Sequence, residues 1–230
     1  GRMGLSVQEH GSLCQWMLQL INIYTGNLDK VGGALVNETA LPITGKGTSS
    51  GARGRWSSRV RNLPEFAGEL PVSVLCEEMT TPGEGQIRAL FTSAGNPVLS
   101  TPNGQRLDQA LENLDFMVCM DVYINETTRH ADLILPPASF LTQDHYDSVF
   151  NAFAVRRVAR LNQPIHPREA DERADWEIIN GIGAAFAKAT GKDWQTLPAP
   201  KQMIAMGLAR GNSGLNMQDL EAAEHGIDLG

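Results

Sequence analysis

The sequence predicts an α/β fold: a Rossmann-like parallel sheet with flanking helices, plus irregular N- and C-terminal segments. Three observations in the 230 residues predict it. Short apolar runs at Ile87 to Thr92, Phe116 to Met120 and Leu133 to Leu135 read as buried strands, and each ends in a polar or proline break. Between the first two, Leu107, Ala110, Leu111 and Leu114 fall on one helical face of the segment from Pro102 to Asn113. Strand, helix, strand at this spacing is a parallel crossover unit.

Ser12 to Tyr24 is predicted as a helix. Leu13, Trp16, Met17, Leu20, Ile21 and Tyr24 recur at steps of three and four, Ser12 is the candidate cap, and Gly26 is the stop. Its broad apolar face is expected to be buried. Thr25 to Gly33 reads as a glycine-dependent connection. From Pro42 to Pro64 the chain has no helical or strand period and carries Lys46, Arg53, Arg55, Arg59 and Arg61. It reads as a long loop, either a clamp for an anion or a solvated segment.

Pro71 to Met79 resumes helical spacing and stops at Pro82-Gly83. In the sheet unit that follows, Thr101-Pro102 supplies a cap and a first-turn proline for the crossover helix. Ala154 to Leu161 alternates imperfectly, as an edge strand or hairpin arm would. Asp175 to Lys188 is the last strong helix, with Trp176, Ile179, Ile182, Ala185 and Phe186 on one face. Short helical pieces follow Gly191, and the ending from Glu221 to Gly230 reads as lacking a terminal strand. The expected organisation is an N-terminal segment over 1–70, an α/β domain over 71–190 and a helical flank over 191–230.

Net charge of -7 argues against general nucleic-acid binding, since phosphate backbones are held by clustered Lys and Arg. No apolar run approaches the ~20 residues that span a bilayer, so no membrane association is expected. Cys14, Cys76 and Cys119 lie in apolar patterns without CxxC spacing. They read as small buried side chains in a reducing, cytoplasmic setting.

In parallel α/β sheets small molecules bind beyond the carboxyl ends of the strands, where Asn96 and Asp121 fall. Asn96, in the turn Ala94-Gly95-Asn96-Pro97, offers donors and an acceptor together, which suits a purine edge or a ribose. Asp121 suits a guanine or ribose hydroxyl; the competing reading is a cap for the next turn, using the same oxygens. The chain has neither GxGxxG spacing nor a GxxxxGK[ST] loop, so ordinary NAD or ATP binding is unsupported. His145, between Asp144 and Asp147, fits no zinc spacing and reads as a loop residue, and His130 reads as a structural hydrogen-bonding residue.

The same residues carry a resemblance. SAGNPVLSTPNGQRLDQAL, DVYINETTRHADLILPPAS and ADWEII resemble the third domain of the molybdopterin oxidoreductases, the superfamily of formate dehydrogenases, nitrate reductases and dimethyl sulfoxide reductase. GRMGLSVQEHGSL, TGNLDKVGGAL and EAAEHGIDLG resemble the flanks of that domain, in the family's order. The resemblance implies a fragment of a molybdenum-dependent oxidoreductase that binds the guanosine part of a molybdopterin guanine dinucleotide. It implies cofactor contacts at Asn96, at Met120 and Asp121 ending the second strand, at Asp175 before the last helix, and at Met3 and Gln8 near the N-terminus. Many relatives carry a lysine where Gln143 stands, so this position keeps a hydrogen-bonding group and loses a charge.

By the same resemblance, a four-cysteine site for a 4Fe-4S cluster and the molybdenum ligand belong to a preceding part of the parent, and a barrel domain follows Gly230. The partners implied are those other domains and a small redox substrate. The fragment alone is expected to be inactive. The alternatives are a free-standing nucleotide-binding α/β enzyme and a non-catalytic interaction module.

Overall fold

The computed structural model describes residues 3–35, 37–42 and 53–230. Helices α1 (Met3–Ser6) and α2 (Gly11–Tyr24) open the chain. Strands β1 (Arg53–Ser57) and β2 (Pro64–Phe66) follow, then α3 (Leu75–Thr80), entered through a 3-10 turn at Val72–Val74. Next come β3 (Ala89–Ser93), α4 (Pro97–Ser100), α5 (Gly104–Leu111), β4 (Phe116–Met120) and β5 (Leu133–Ile134). Short strands β6 (His145–Tyr146), β7 (Val158–Ala159) and β8 (Leu161–Asn162) lead to α6 (Asp175–Thr190), α7 (Pro200–Arg210), α8 (Met217–Ala222) and β9 (Ile227–Asp228).

Two compact units result. One comprises Thr44–His145 and Asn162–Met203, the other Gly1–Ile43, Tyr146–Leu161 and Ile204–Gly230. The first contains the expected parallel sheet in the order β3-β4-β5. β3 and β4 run in register from Ala89↔Phe116 to Ser93↔Met120, and β5 joins through Val118↔Leu133 and Cys119↔Ile134. Its core is Cys76, Met79, Val98, Leu107, Ala110, Leu111, Met117 and Cys119. Burial pushes the Cys76 and Cys119 thiols up in pKa, so both are neutral apolar packing groups. Full burial of a side chain such as Leu107 contributes roughly 1.5–3 kcal/mol.

The crossover helix starts later than its sequence suggested. Thr101 closes the one-turn α4 by donating its hydroxyl to the Pro97 carbonyl at 2.7 Å. Asn103, left-handed at φ 59°, then caps α5 by accepting from the Arg106 N–H at 3.3 Å. Asparagine tolerates that conformation and carries the acceptor, so it displaces Thr101-Pro102 as the helix start.

The segment read as a long basic loop is partly a hairpin. β1 pairs antiparallel with β2, Arg53 lies over the Phe66 ring, and the other three arginines are tied to glutamates. Arg55 binds the fully buried Glu65 at 2.6 Å, Arg59 lies 3.3 Å from Glu78, and Arg61 pairs with Glu77. Arg59 also donates to the Thr81 carbonyl at 2.7 Å and Arg61 to that of Ser73 at 2.9 Å. Arg55 ties the two strands of the hairpin together, and Arg59 and Arg61 fasten its turn to α3, so these three arginines are held in ion pairs rather than left as a free loop. Lys46 lies outside the described residues.

In the other unit, Ala40, Ala159, Leu161, Ile204, Leu208 and Leu220 form a small core. β7 pairs antiparallel with β9, so the chain does carry a terminal strand, contrary to the reading of its ending. Helix α2 departs further from expectation. His10 occupies its cap position without a side-chain bond, Ser12 is inside the helix, and no α2 residue is buried. Trp16 is 58% exposed and Ile21 57% exposed, because no α2 residue belongs to that core. Among the described residues no helix is long and apolar enough to cross a membrane.

Candidate functional site at the carboxyl edge of the sheet

Because β3, β4 and β5 are parallel, their carboxyl ends and the turns that follow lie along one edge. β3 ends in Ala94, left-handed at φ 50°, whose N–H donates to the Met120 carbonyl at 2.9 Å. A β-carbon in that conformation is strained, and such strain gathers where a turn must be aimed. Here it turns Gly95 and Asn96 out of the ladder. Met120 itself is 2% exposed, so it supports this edge through its backbone.

Asn96 and Asp121 are joined through the turn from Asn125 to Thr128. Thr127, fully buried, donates its hydroxyl to Asn96 Oδ1 at 2.7 Å and accepts from the Val98 N–H at 3.1 Å. That contact fixes the amide so that Asn96 Nδ2 faces Glu126 Oε2 at 2.7 Å. Asp121 uses Oδ1 for the N–H groups of Val122 (2.7 Å) and Tyr123 (3.4 Å), and Oδ2 for Asn125 Nδ2 at 3.2 Å. Its carboxylate thus makes the capping contacts that were the competing reading. Beneath the turn, Asp108 shares a 2.6 Å contact with His130 Nε2 and accepts from Arg129, and these hydrogen bonds, the His130 one first, hold its carboxyl below the usual range. His130 is therefore a structural residue, as expected.

Gln143 and Asp175 meet a different part of the edge. Ala138, just beyond β5, donates to the Arg173 carbonyl at 2.7 Å and accepts from Gln143 Nε2 at 2.8 Å. Both the Gln143 segment and the start of α6 therefore dock on one buried residue. Glu177 caps α6 by accepting from the Ala174 N–H at 2.8 Å and pairs with both Arg168 nitrogens at 2.6 and 3.2 Å. Those donors, the backbone one first, hold Glu177 below the ordinary glutamate range. Asp175 is consequently not needed as a cap. Its exposed carboxylate accepts no hydrogen bond from the described residues.

Beside it lies a cavity of about 310 Å³ whose lining includes Gln143, Asp144, Arg168, Trp176 and Lys201. Lys201 Nζ stands 3.3 Å from Asp144 Oδ1, so a cation is present although position 143 is glutamine. Met3, 69% exposed, and Gln8, which donates to the Gly4 carbonyl at 3.3 Å, belong to the other unit. His145 is an exposed residue of β6, and no cluster of His, Cys, Asp and Glu fit to hold a metal occurs among the described residues.

Sequence reading missed Glu126, Thr127, Arg168 and Lys201. The run Asn125-Glu126-Thr127-Thr128 carries a usable signal, since Asn and Thr side chains cap their own turns. Lys201 has no local signal; only tertiary folding brings it to Asp144.

A parallel α/β domain with a polar, turn-built carboxyl edge is the class that this fold and site define. The chain belongs to the molybdopterin oxidoreductase family, whose family model matches residues 3–185. It is 30% identical over 168 residues to the assimilatory nitrate reductase catalytic subunit of Bacillus subtilis, covering 64% of this chain and 23% of that protein. To the alpha subunit of F420-dependent formate dehydrogenase 1 of Methanococcus maripaludis it is 29% identical over 135 residues, 58% of this chain and 19% of that protein. The chain thus spans under a quarter of the length of these curated relatives. Among solved structures it resembles acetylene hydratase from Pelobacter acetylenicus, with TM-score 0.52 and 18% identity over 66% of this chain and 20% of that one. That is a likeness of fold.

Proposed function

We propose that this chain is part of a molybdenum-dependent oxidoreductase and binds the guanosine portion of a molybdopterin guanine dinucleotide, with residues 71–190 as the cofactor-binding domain and 1–70 and 191–230 as its flanks. The observation that carries this reading is the convergence of the turns after β3, β4 and β5 on one edge, within a chain matched by the family model over residues 3–185. When bound, such a cofactor supplies two-electron redox chemistry at molybdenum, as in formate oxidation or nitrate reduction.

The donor set at the edge fits that group. Asp175 offers open acceptors for imino, amino or ribose hydroxyl donors, and Asn96 keeps one amide hydrogen beyond its bond to Glu126. Gln143, Arg168 and Lys201 line a cavity whose cations suit a diphosphate. Met120 and Asp121 hold the β4 end and its turn in place for these contacts. Met3 and Gln8, in the other unit, are carried as cofactor contacts on the family likeness alone. A 4Fe-4S cluster, the molybdenum ligand and the redox substrate would be held by other domains of the same polypeptide.

The test is made in the full-length enzyme containing this chain. Asp175→Ala should lower the guanine nucleotide and molybdenum released on denaturation about tenfold at limiting cofactor, the loss of one or two hydrogen bonds to a charged acceptor. Unchanged content of both overturns the reading.

A further inference from the structure

We infer that Glu126 is the carboxylate that reads ligand donors at the ends of β3 and β4, with Asn96 and Thr127 as its positioning residues and Asp121 confined to shaping the turn. This rests on the guanosine reading above. Asp121 engages both oxygens with Val122, Tyr123 and Asn125, which leaves a ligand donor the second lone pair of Oδ2 alone. Glu126 keeps more room: Oε2 accepts from Asn96 Nδ2 at 2.7 Å, the carboxylate also accepts from its own backbone N–H, and no other described residue donates to it while the side chain stays exposed.

An exposed glutamate ordinarily samples many rotamers, and ordering it on binding is costly. Here the ordering is already done. The buried Thr127 hydroxyl fixes Asn96 Oδ1, which aims Nδ2 at Glu126, and the charge-assisted bond from Nδ2 fixes the carboxylate. The same bond, first among its causes, holds Glu126 below the ordinary glutamate range, so it is an acceptor at neutral pH. An open carboxylate oxygen beside an amide N–H is complementary to a base edge that carries adjacent donors and a carbonyl. Guanine carries them, and hypoxanthine lacks the exocyclic amine.

The 230-residue chain is titrated with GMP and with IMP by calorimetry, as wild type, Glu126→Gln and Thr127→Val, over a range of pH. Wild type should prefer GMP; Glu126→Gln should weaken GMP about tenfold, abolish the preference over IMP and remove the acid limb of the binding profile. Thr127→Val should weaken GMP in the same direction while the acid limb moves up in pH, because Asn96 no longer holds Glu126 ionised. Failure of wild type to bind GMP overturns the guanosine reading itself. GMP binding that is equal in wild type and Glu126→Gln overturns the Glu126 assignment alone. Loss of the GMP preference in a folded Asp121→Asn variant, with Glu126→Gln unaffected, reverses the two roles.

Discussion

Helices α5 and α2 each carry an apolar stripe, and the two stripes meet opposite fates. Leu107, Ala110 and Leu111 of α5 are sealed against Cys76, Met79, Met117 and Cys119, beneath the turns that form the site. Leu13, Trp16, Met17 and Ile21 of α2 are half or more exposed. A stripe therefore states that a helix has a side to cover, and only the rest of the polypeptide decides whether it is covered. The sealed stripe fixes the register of the binding edge, whereas the open one adds little to the stability of this chain.

The largest expected effect breaks the sealed side. Leu107→Ala should destabilise the chain by about 2–5 kcal/mol in urea unfolding, through lost transfer energy and the cavity left behind. Trp16→Ala should change the same midpoint by no more than about 0.5 kcal/mol, as surface substitutions do. Equal losses from both would mean that the stripe of α2 is buried in solution.

Ion pairs repeat the contrast. Glu65 is fully buried beneath Arg55, while the Arg156–Asp228 pair is largely exposed. The Arg55 guanidinium, aided by the Gly68 and Arg55 N–H groups and opposed by desolvation, holds Glu65 at about 2. Its folded pKa lies below its unfolded one, so the unfolded state binds more protons between them. The stabilisation is complete above the ordinary glutamate value of ~4.3 and is lost as pH falls toward about 2. Wild type should therefore lose stability more steeply than Glu65→Gln across that window in pH-dependent unfolding. Parallel curves would remove Glu65 as the source of acid sensitivity.

What sequence revealed of the sheet and site follows the same division between local and tertiary causes. β3, β4, α5 and α6 were legible because each is a short apolar run or stripe between breaks, and local chemistry makes those breaks. Asn96 and Asp121 were legible as the residues after two strand ends. Their roles were not, since the Thr127 hydroxyl that orients Asn96 lies 31 residues away. The hairpin at Arg53–Phe66 was hidden because its glutamate partners Glu65, Glu77 and Glu78 are needed to make sense of its arginines. The fate of the α2 stripe was illegible for the reason already given: coverage is not a local property.

Helix α6 holds both conditions within one turn, which allows the smallest effects to be separated by sign. A β-carbon at the buried Gly183 would lie 2.2 Å from the Trp194 ring, whereas one at Gly181 would meet nothing within 4 Å. Trp194 is not free to swing away, because Asn180 accepts from its indole N–H at 3.4 Å and from the Leu197 N–H at 2.8 Å, and donates to the Leu197 carbonyl at 3.1 Å. Gly183→Ala must therefore displace an anchored ring, and a loss of about 1–3 kcal/mol is expected from overpacking. Gly181→Ala gains helix propensity with no contact to pay for it, and about 0.8–1 kcal/mol of added stability is expected. Urea unfolding followed by tryptophan fluorescence reads both. A stabilising Gly183→Ala would show that the ring does not cover this face of α6, and the sealed side of the comparison would then stop at the sheet.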